Sequence, residues 1–573
     1  MTSLSLADRS SVARRTQAFG LDRLFAFVET SHRRACAVLL LVSLACFLPG
    51  FVSLQPMDRD EPRFAQASKQ MLETGDFVDI RFQDEARHKK PIGIYWLQSA
   101  TVAAAEILGV PGAKGTIAVY RIPSLVGALA TVFLTYWAAL AFAGRRVAFL
   151  SALMMATSVI LMVEARLAKT DAVLAACSVA VMGGLARAYL NRDLARLPAT
   201  VAVGFWLALS LGILVKGPMI LMFAGLAALV LSIRERSGRW LLALRPGFGL
   251  LLTGILVAPW FVAIVAKSGG AFFQASVGHD LVGKVGAAQV QHWAPPGTYL
   301  LVFFGTFWPG AVLAAIAVPF AWINRREDAV AFTIAWVVPS WIVFEAVPTK
   351  LPHYVMPLYP AIAILTAIAI ARGFVGPHRP LARAATLLVP GIPLAAAIGL
   401  AGAAWSLDGT VPVAGVAVIL ASALVGIIAW RSFLRDDAWR MGMVSAGASM
   451  LFVAGVLGLT QPVLQSLKLS PRLAAIARSL DCQQPAIATL GYREPSLVFL
   501  TRTDLDMVET GEEAARFLSG GSCRMVFVER RFEEAFRAAA GALALQPALE
   551  TRVAGFNING GRRLDIGAYV VRP

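Results

Sequence analysis

Between residues 57 and 70 the chain reads MDRDEPRFAQASKQ, and five of the first seven residues are charged: Asp58, Arg59, Asp60, Glu61 and Arg63. Three carboxylates interleaved with two guanidiniums suit two jobs. As caps, acidic residues in the first turn of a helix complement its macrodipole. As chemistry, a carboxylate can flank a carbon that becomes cation-like, while a guanidinium grips an anionic leaving group. A second basic knot, His88-Lys89-Lys90, lies within RFQDEARHKKP. Two more charged stretches follow, EARLAKTDA with Glu164, Arg166, Lys169 and Asp171, and PTKLPHYVMPLYP with Lys350, His353 and Tyr354.

Each stretch lies at the end of a long apolar run. Of 573 residues, 57% are hydrophobic and 15% charged, against roughly 45–50% and about 25% in a soluble domain. The runs are continuous and of the length that crosses a hydrocarbon core, which excludes a soluble globular protein and a β-barrel. The fold class is a polytopic α-helical membrane protein. The net charge of +17 is read as topology and headgroup contact, not as nucleic-acid binding.

The basic residues sort the loops. The N-terminal segment and the loops holding Arg145 and Arg146, Arg192, Arg234, Arg325, Arg372 and Arg435 belong on the cytoplasmic side. Fourteen apolar runs can be counted, but fourteen crossings would throw every basic loop to the wrong face. Leaving the amphipathic run 92–109 on the outer surface repairs them all. About thirteen spans are expected, with the N-terminus inside, the C-terminus outside, and the first run a retained anchor. All the charged stretches above then share one outer rim.

The short helix after the first span has its own signals. Pro62 stands near its start, Phe64, Ala67 and Met71 recur at helical spacing, and Gly75 supplies a stop. Residues 1–462 form the membrane part, with outer loops 55–116 and 267–297. Residues 463–573 read as a small outer α/β domain. In it SPRLAAIARSL is a helix capped by Ser470, QPAIATLG and CRMVFVER are strands, and an Asn-Gly-Gly turn joins two further strands. Cys482 and Cys523 lie there on the oxidising side, where a disulfide can form. The loop 267–297 is rich in small residues and can act as a lid. Its His279 and His292, with His88 and Glu85, could hold a structural divalent metal such as zinc, or be ordinary solvated histidines.

Four motifs in this order, DRDEPRFA, HKKPIGIYWL, EARLAKTDAVL and TKLPHYVMPLYPAIAIL, resemble the GT-C glycosyltransferases of the protein mannosyltransferase and aminoarabinose transferase group. Within it the likeness is strongest to the bacterial transferases that carry 4-amino-4-deoxy-L-arabinose to lipid A. The resemblance implies an undecaprenyl phosphate-linked aminoarabinose donor and a lipid A phosphate acceptor. It implies action on the periplasmic face of a bacterial inner membrane, and resistance to polymyxin and cationic peptides. A monomer is expected, with no required cofactor.

For such a transfer Asp60 and Asp171, with Asp58 and Glu61 as weaker alternatives to Asp60, are the candidate catalytic carboxylates. Lys90 and Arg63 are the leading candidates for the donor phosphate, with Lys89, Lys350 and Tyr354 in support. An already ionised acceptor phosphate does not need a strong base, so Asp60 acts as base, anchor or electrostatic stabiliser. The donor's apolar tail calls for a groove between spans beside the charged cavity. A protein O-mannosyltransferase shares this layout and is the main alternative. A transporter would place its charges at the midplane rather than at one rim. A ligand sensor would leave the carboxylate-rich first loop unexplained.

Overall fold

The computed structural model describes residues 23–57, 59–193, 197–276, 278, 293–482 and 485–571. Asp58, His279, His292 and about half of the expected lid fall outside this set. Most of the chain is helical, because within a bilayer the backbone must satisfy its own hydrogen bonds. Among the described residues, nine helices are long and apolar enough to cross a membrane alone, from Ile117–Ala139 to Ala438–Val463. The other four of the thirteen expected runs fall on shorter or interrupted helices. These are His32–Phe47, the pair Arg145–Ala156 and Val159–Glu164, Met219–Glu235, and the pair Thr298–Thr306 and Gly310–Ile323. The run placed on the outer surface is a 15-residue helix, Gly93–Ile107.

The segment after the first span folds as its sequence signals require. A helix covers Asp60–Thr74, with Asp60 and Glu61 in its first turn and Gly75 closing it at φ 73°. Phe64, Ala67 and Met71 are buried along one face. A small hairpin follows, with β1 (Arg81–Phe82) antiparallel to β2 (Glu85–Ala86). Gly93 then lets the next helix start against the end of another. A Cβ there would lie 2.8 Å from the carbonyl oxygen of Leu214, far inside contact distance. That approach holds the His88-Lys89-Lys90 segment near Lys216, the last residue of the Ala199–Lys216 helix.

The C-terminal part is built on a five-stranded sheet of order β4-β3-β5-β7-β6. The strands are β3 (Ala486–Leu490), β4 (Asp506–Val508), β5 (Arg524–Glu529), β6 (Ala548–Asn557) and β7 (Arg562–Val570). β3 pairs in parallel with β4 and β5, while β7 runs antiparallel to both β5 and β6. Separate apolar clusters pack on the two faces of this sheet, one around Leu473, Phe527 and Ile566, the other around Leu518, Val526 and Phe536. Cys482 and Cys523 are joined by a disulfide across 41 residues. Ser470 is not a cap. The helix begins at Leu469, and the Ser470 hydroxyl instead bonds Tyr492 and Ser496, each at 2.7 Å. The short strand β4 and the helix Pro495–Leu500 carried too little periodicity to be read from sequence.

Candidate active site

Asp60 stands on the first turn of its helix with its side chain 51% exposed, and the Arg87 guanidinium lies 3.8 Å away. Arg87 is itself buried and stacks over the Phe64 ring at 5.0 Å. Burial pushes the Asp60 carboxyl up, but Arg87, Lys169, Arg63 and His353 outweigh it and hold it below the usual carboxylate range. Arg63 is half-buried on the same turn. Burial and the like charge of Arg87 lower its guanidinium while Asp60 opposes them, so Arg63 is an incompletely solvated cation beside a carboxylate.

Facing Asp60 is a buried cluster from three separate parts of the chain. Asp171 begins the Asp171–Leu190 helix and pairs with the Lys216 ammonium. Glu164 pairs with Lys169 at 3.4 Å. His353 sits between the two acids, Nδ1 3.6 Å from Glu164 and Nε2 3.7 Å from Asp171. Lys216 also lies 5.4 Å over the Tyr354 ring. The Lys169 ammonium also acts on Asp60, which couples the two walls electrostatically.

One ligand atom each from Glu164, Asp171 and His353 falls within 4.8 Å of the others, a spacing that could hold a cation. Two lysines already balance the two carboxylates, so a metal would have to displace an ammonium. Of the other expected metal set, His279 and His292 lie outside the described residues. His88 bonds Asp79 through Nε2 at 2.7 Å, and Glu85 points to solvent on β2.

Two expected site residues are placed in structural work. Glu61 is fully buried, and each of its oxygens accepts twice. Oε1 takes Arg121 Nε at 2.7 Å and Ala168 N–H at 3.0 Å, and Oε2 takes Met57 N–H at 2.6 Å and Arg121 Nη2 at 3.1 Å. No lone pair is left for a substrate. Arg121 in turn donates to the carbonyls of Phe51, Leu54 and Gln55. Lys350 caps a helix end: its ammonium donates to the carbonyls of Phe344 (3.2 Å), Glu345 (2.8 Å) and Val347 (2.8 Å). Lys89 is exposed and Lys90 half-buried in the turn after His88.

Arg87 and Arg121 were missed as site residues. Arg121 had a usable signal, since a charge inside an apolar run is seldom idle. Arg87 stood within RFQDEARHKKP but was overshadowed by the lysines beside it.

A groove of about 620 Å³ runs between the helices Thr298–Thr306, Gly310–Ile323, Asp328–Ala346 and Tyr359–Ala371. Phe303, Phe304, Val338, Trp341, Ile342 and Leu365 are among its apolar walls. Trp341 contacts the Tyr299 ring at 6.4 Å, and Tyr299 Oη accepts the Leu351 N–H at 3.2 Å. The groove is thereby connected to the segment that carries His353.

Residues 89–262 match the family model described as dolichyl-phosphate-mannose-protein mannosyltransferase. An undecaprenyl phosphate-alpha-4-amino-4-deoxy-L-arabinose arabinosyl transferase of Erwinia tasmaniensis is 28% identical over 312 residues, 54% of either chain. Its counterpart in Pectobacterium atrosepticum is 26% identical over 416 residues, 70% of this chain and 71% of that one. The chain thus spans little more than half the length of the first of these relatives. Among solved structures, ArnT from Cupriavidus metallidurans bound to undecaprenyl phosphate superposes with a TM-score of 0.71 at 19% identity, covering 93% of this chain and 97% of that one. Its apo form gives 0.70 at 18% identity, over 96% and 98%. At such identities the likeness is one of fold. Together these matches agree with the resemblance drawn from the four motifs, and the chain shares the fold of the ArnT structures.

Proposed function

We propose that this GT-C-fold membrane protein transfers 4-amino-4-deoxy-L-arabinose from undecaprenyl phosphate to a phosphate of lipid A, on the periplasmic side of the inner membrane. The observation that carries the reading is one juxtaposition. A charged pair of walls, Asp60 with Arg63 and Arg87 opposite the Glu164–His353–Asp171 cluster, is linked to an apolar groove between spans. A polyprenyl phosphate needs both environments at once, an anion site and a hydrocarbon channel. The relatives named undecaprenyl phosphate-alpha-4-amino-4-deoxy-L-arabinose arabinosyl transferases, and the ArnT crystal structure bound to undecaprenyl phosphate, support the choice of donor.

The chemistry is a single displacement. An acceptor phosphate oxygen forms a bond to the anomeric carbon as the carbon–oxygen bond to undecaprenyl phosphate breaks. The departing phosphate keeps the electron pair, and the anomeric configuration inverts. Arg63, Lys90 and Lys89 hold the donor phosphate and take up its growing charge, with Tyr354 in support. Asp60, kept ionised by its basic neighbours, stabilises the cation-like sugar. Asp171, oriented by Lys216 and His353, is the second carboxylate of the site. The acceptor phosphate is already largely ionised, so Asp60 need not remove a proton.

The mannosyltransferase model that matches residues 89–262 gives a second reading, protein O-mannosylation, in which Asp60 would act as base toward a hydroxyl. One experiment separates the two. Lipid A from a deletion strain, with and without the restored gene, is compared by mass spectrometry. Gene-dependent addition of aminoarabinose is the expected result. Unchanged lipid A together with lost protein mannosylation would replace this reading by the other.

A further inference from the structure

A second cleft, of about 280 Å³, opens where the 55–57 segment meets the C-terminal domain. It falls just below the usual span for small-molecule pockets, roughly 300–1,000 Å³, which leaves room for a sugar unit but not for a whole glycolipid. Pro56, Met57, Phe556 and Ile558 contribute apolar surface. Ser496, Tyr492, Asn557 and Asn559 contribute hydroxyls and amides. Glu494 is buried between them, accepting from Asn557 at 2.9 Å and Asn559 at 3.0 Å, and its charge is met by Arg59 at 3.6 Å.

Two features select the ligand. No lysine or arginine is among the described residues lining the cleft, and Arg59 beside it is already paired with Glu494, so no unengaged cation is at hand for a phosphate. Gln55 also lines it, with its amide nitrogen bonded to the Leu467 carbonyl at 2.6 Å. The amide oxygen of Gln55 is shielded from solvent and has no hydrogen-bond partner among the described residues. Shielded acceptors of this kind are normally satisfied, and a turn of the Gln55 side chain toward the cleft would let a ligand hydroxyl or N–H satisfy it. An apolar face opposite a row of hydroxyl and amide groups matches the two faces of a pyranose ring: its C–H surface and its hydroxyl edge.

We infer that this cleft binds an uncharged, hydroxyl-bearing sugar unit of the acceptor, apart from the phosphate that is modified. The inference rests on the proposed glycolipid acceptor. It explains why the cleft is built from Gln55 and Met57. These residues run straight into the Asp60 helix, and the Met57 N–H is held by Glu61 at 2.6 Å. The sugar of the acceptor would thus be read by the same strand of chain that presents Asp60.

The test uses the full chain in lipid nanodiscs and, as probe, a dephosphorylated glucosamine disaccharide without its fatty acyl chains and with both amines N-acetylated. Two substitutions are made on the turn between β6 and β7, Ile558→Trp to fill the cleft and Asn559→Ala to remove an amide. Ile558 is 51% exposed, so neither should unfold the domain, which thermal unfolding checks. Saturation-transfer NMR is expected to show the probe bound to the wild type and at least about tenfold weaker binding in Ile558→Trp. The acceptor KM should rise by a similar factor with the donor KM unchanged. Absence of probe binding to the wild type, or equal binding and equal acceptor KM in a folded Ile558→Trp protein, would overturn the proposal. If the wild type binds the probe with this dependence on Ile558 yet transfers no aminoarabinose, the transfer reading fails and the cleft stands.

Discussion

Asp60 owes its character to its neighbours. With Arg87 at 3.8 Å and Arg63 on the same turn, its carboxyl is held below the ordinary value of 3.8. A depressed carboxylate stays charged as pH falls until its own lowered pKa is reached. Stability and activity that depend on the charged form are therefore present above pH 3.8 and lost only below it. Transfer by the wild type should show no acid limb from Asp60 between pH 5 and 8, the window in which its pKa leaves it ionised. Asp60→Asn is expected to cut kcat by at least about a hundredfold, as loss of a transition-state contact does, with membrane levels unchanged on a blot. Retention of most of the activity would remove Asp60 from the reaction. Arg87→Ala takes away the charge that holds the carboxyl low, so an acid limb should move up into the measurable range.

At the scale of elements, the Asp60 wall depends on how the chain behind it is fastened. The Glu61–Arg121 pair ties the end of the first span, the Asp60–Thr74 helix and the 164–171 turn to one another. Breaking one partner of a fully buried ion pair costs about 3–5 kcal/mol. Glu61→Gln should therefore lower the detergent melting temperature and the membrane yield, where Asp60→Asn leaves both intact. Lys350→Met gives a second contrast. If the ammonium serves the three carbonyls it now meets, the variant loses roughly 1–3 kcal/mol of stability and keeps its donor KM. A raised donor KM at normal stability would return Lys350 to the phosphate. These cases mark what the sequence made legible. The Asp60 helix could be read because Pro62, Phe64, Met71 and Gly75 are local signals within one short stretch. The saturation of Glu61 could not, because its partners lie 60 and 107 positions away. Likewise Glu164, His353 and Asp171 each stood out as charges at span ends, but their convergence depends on helix packing that no local pattern encodes.

Over the whole molecule, the four-helix groove is linked to the His353 segment through Tyr299, and its proposed use can be tested far from the chemistry. Ala317 lines the groove. Ala317→Trp should raise the donor KM about tenfold and leave kcat nearly unchanged, because it removes binding shared by ground and transition states. An unchanged donor KM in a folded variant would place the lipid tail elsewhere. The C-terminal domain is fastened to the Asp60 helix and the hairpin after it. Gln66 donates to the Thr503 hydroxyl at 2.8 Å, and Gln83 donates to the carbonyls of Thr503 and Leu505 at 3.0 and 2.7 Å. Thr503 donates to Glu73 at 2.7 Å. These bonds set a rule for recombination. A chimera that trades only the stretch after residue 463 would inherit a mismatched seam, whereas one that carries residues 60–90 along with it would transplant both halves of the joint. Parts that look separable along the chain would thus be inherited as a single cassette.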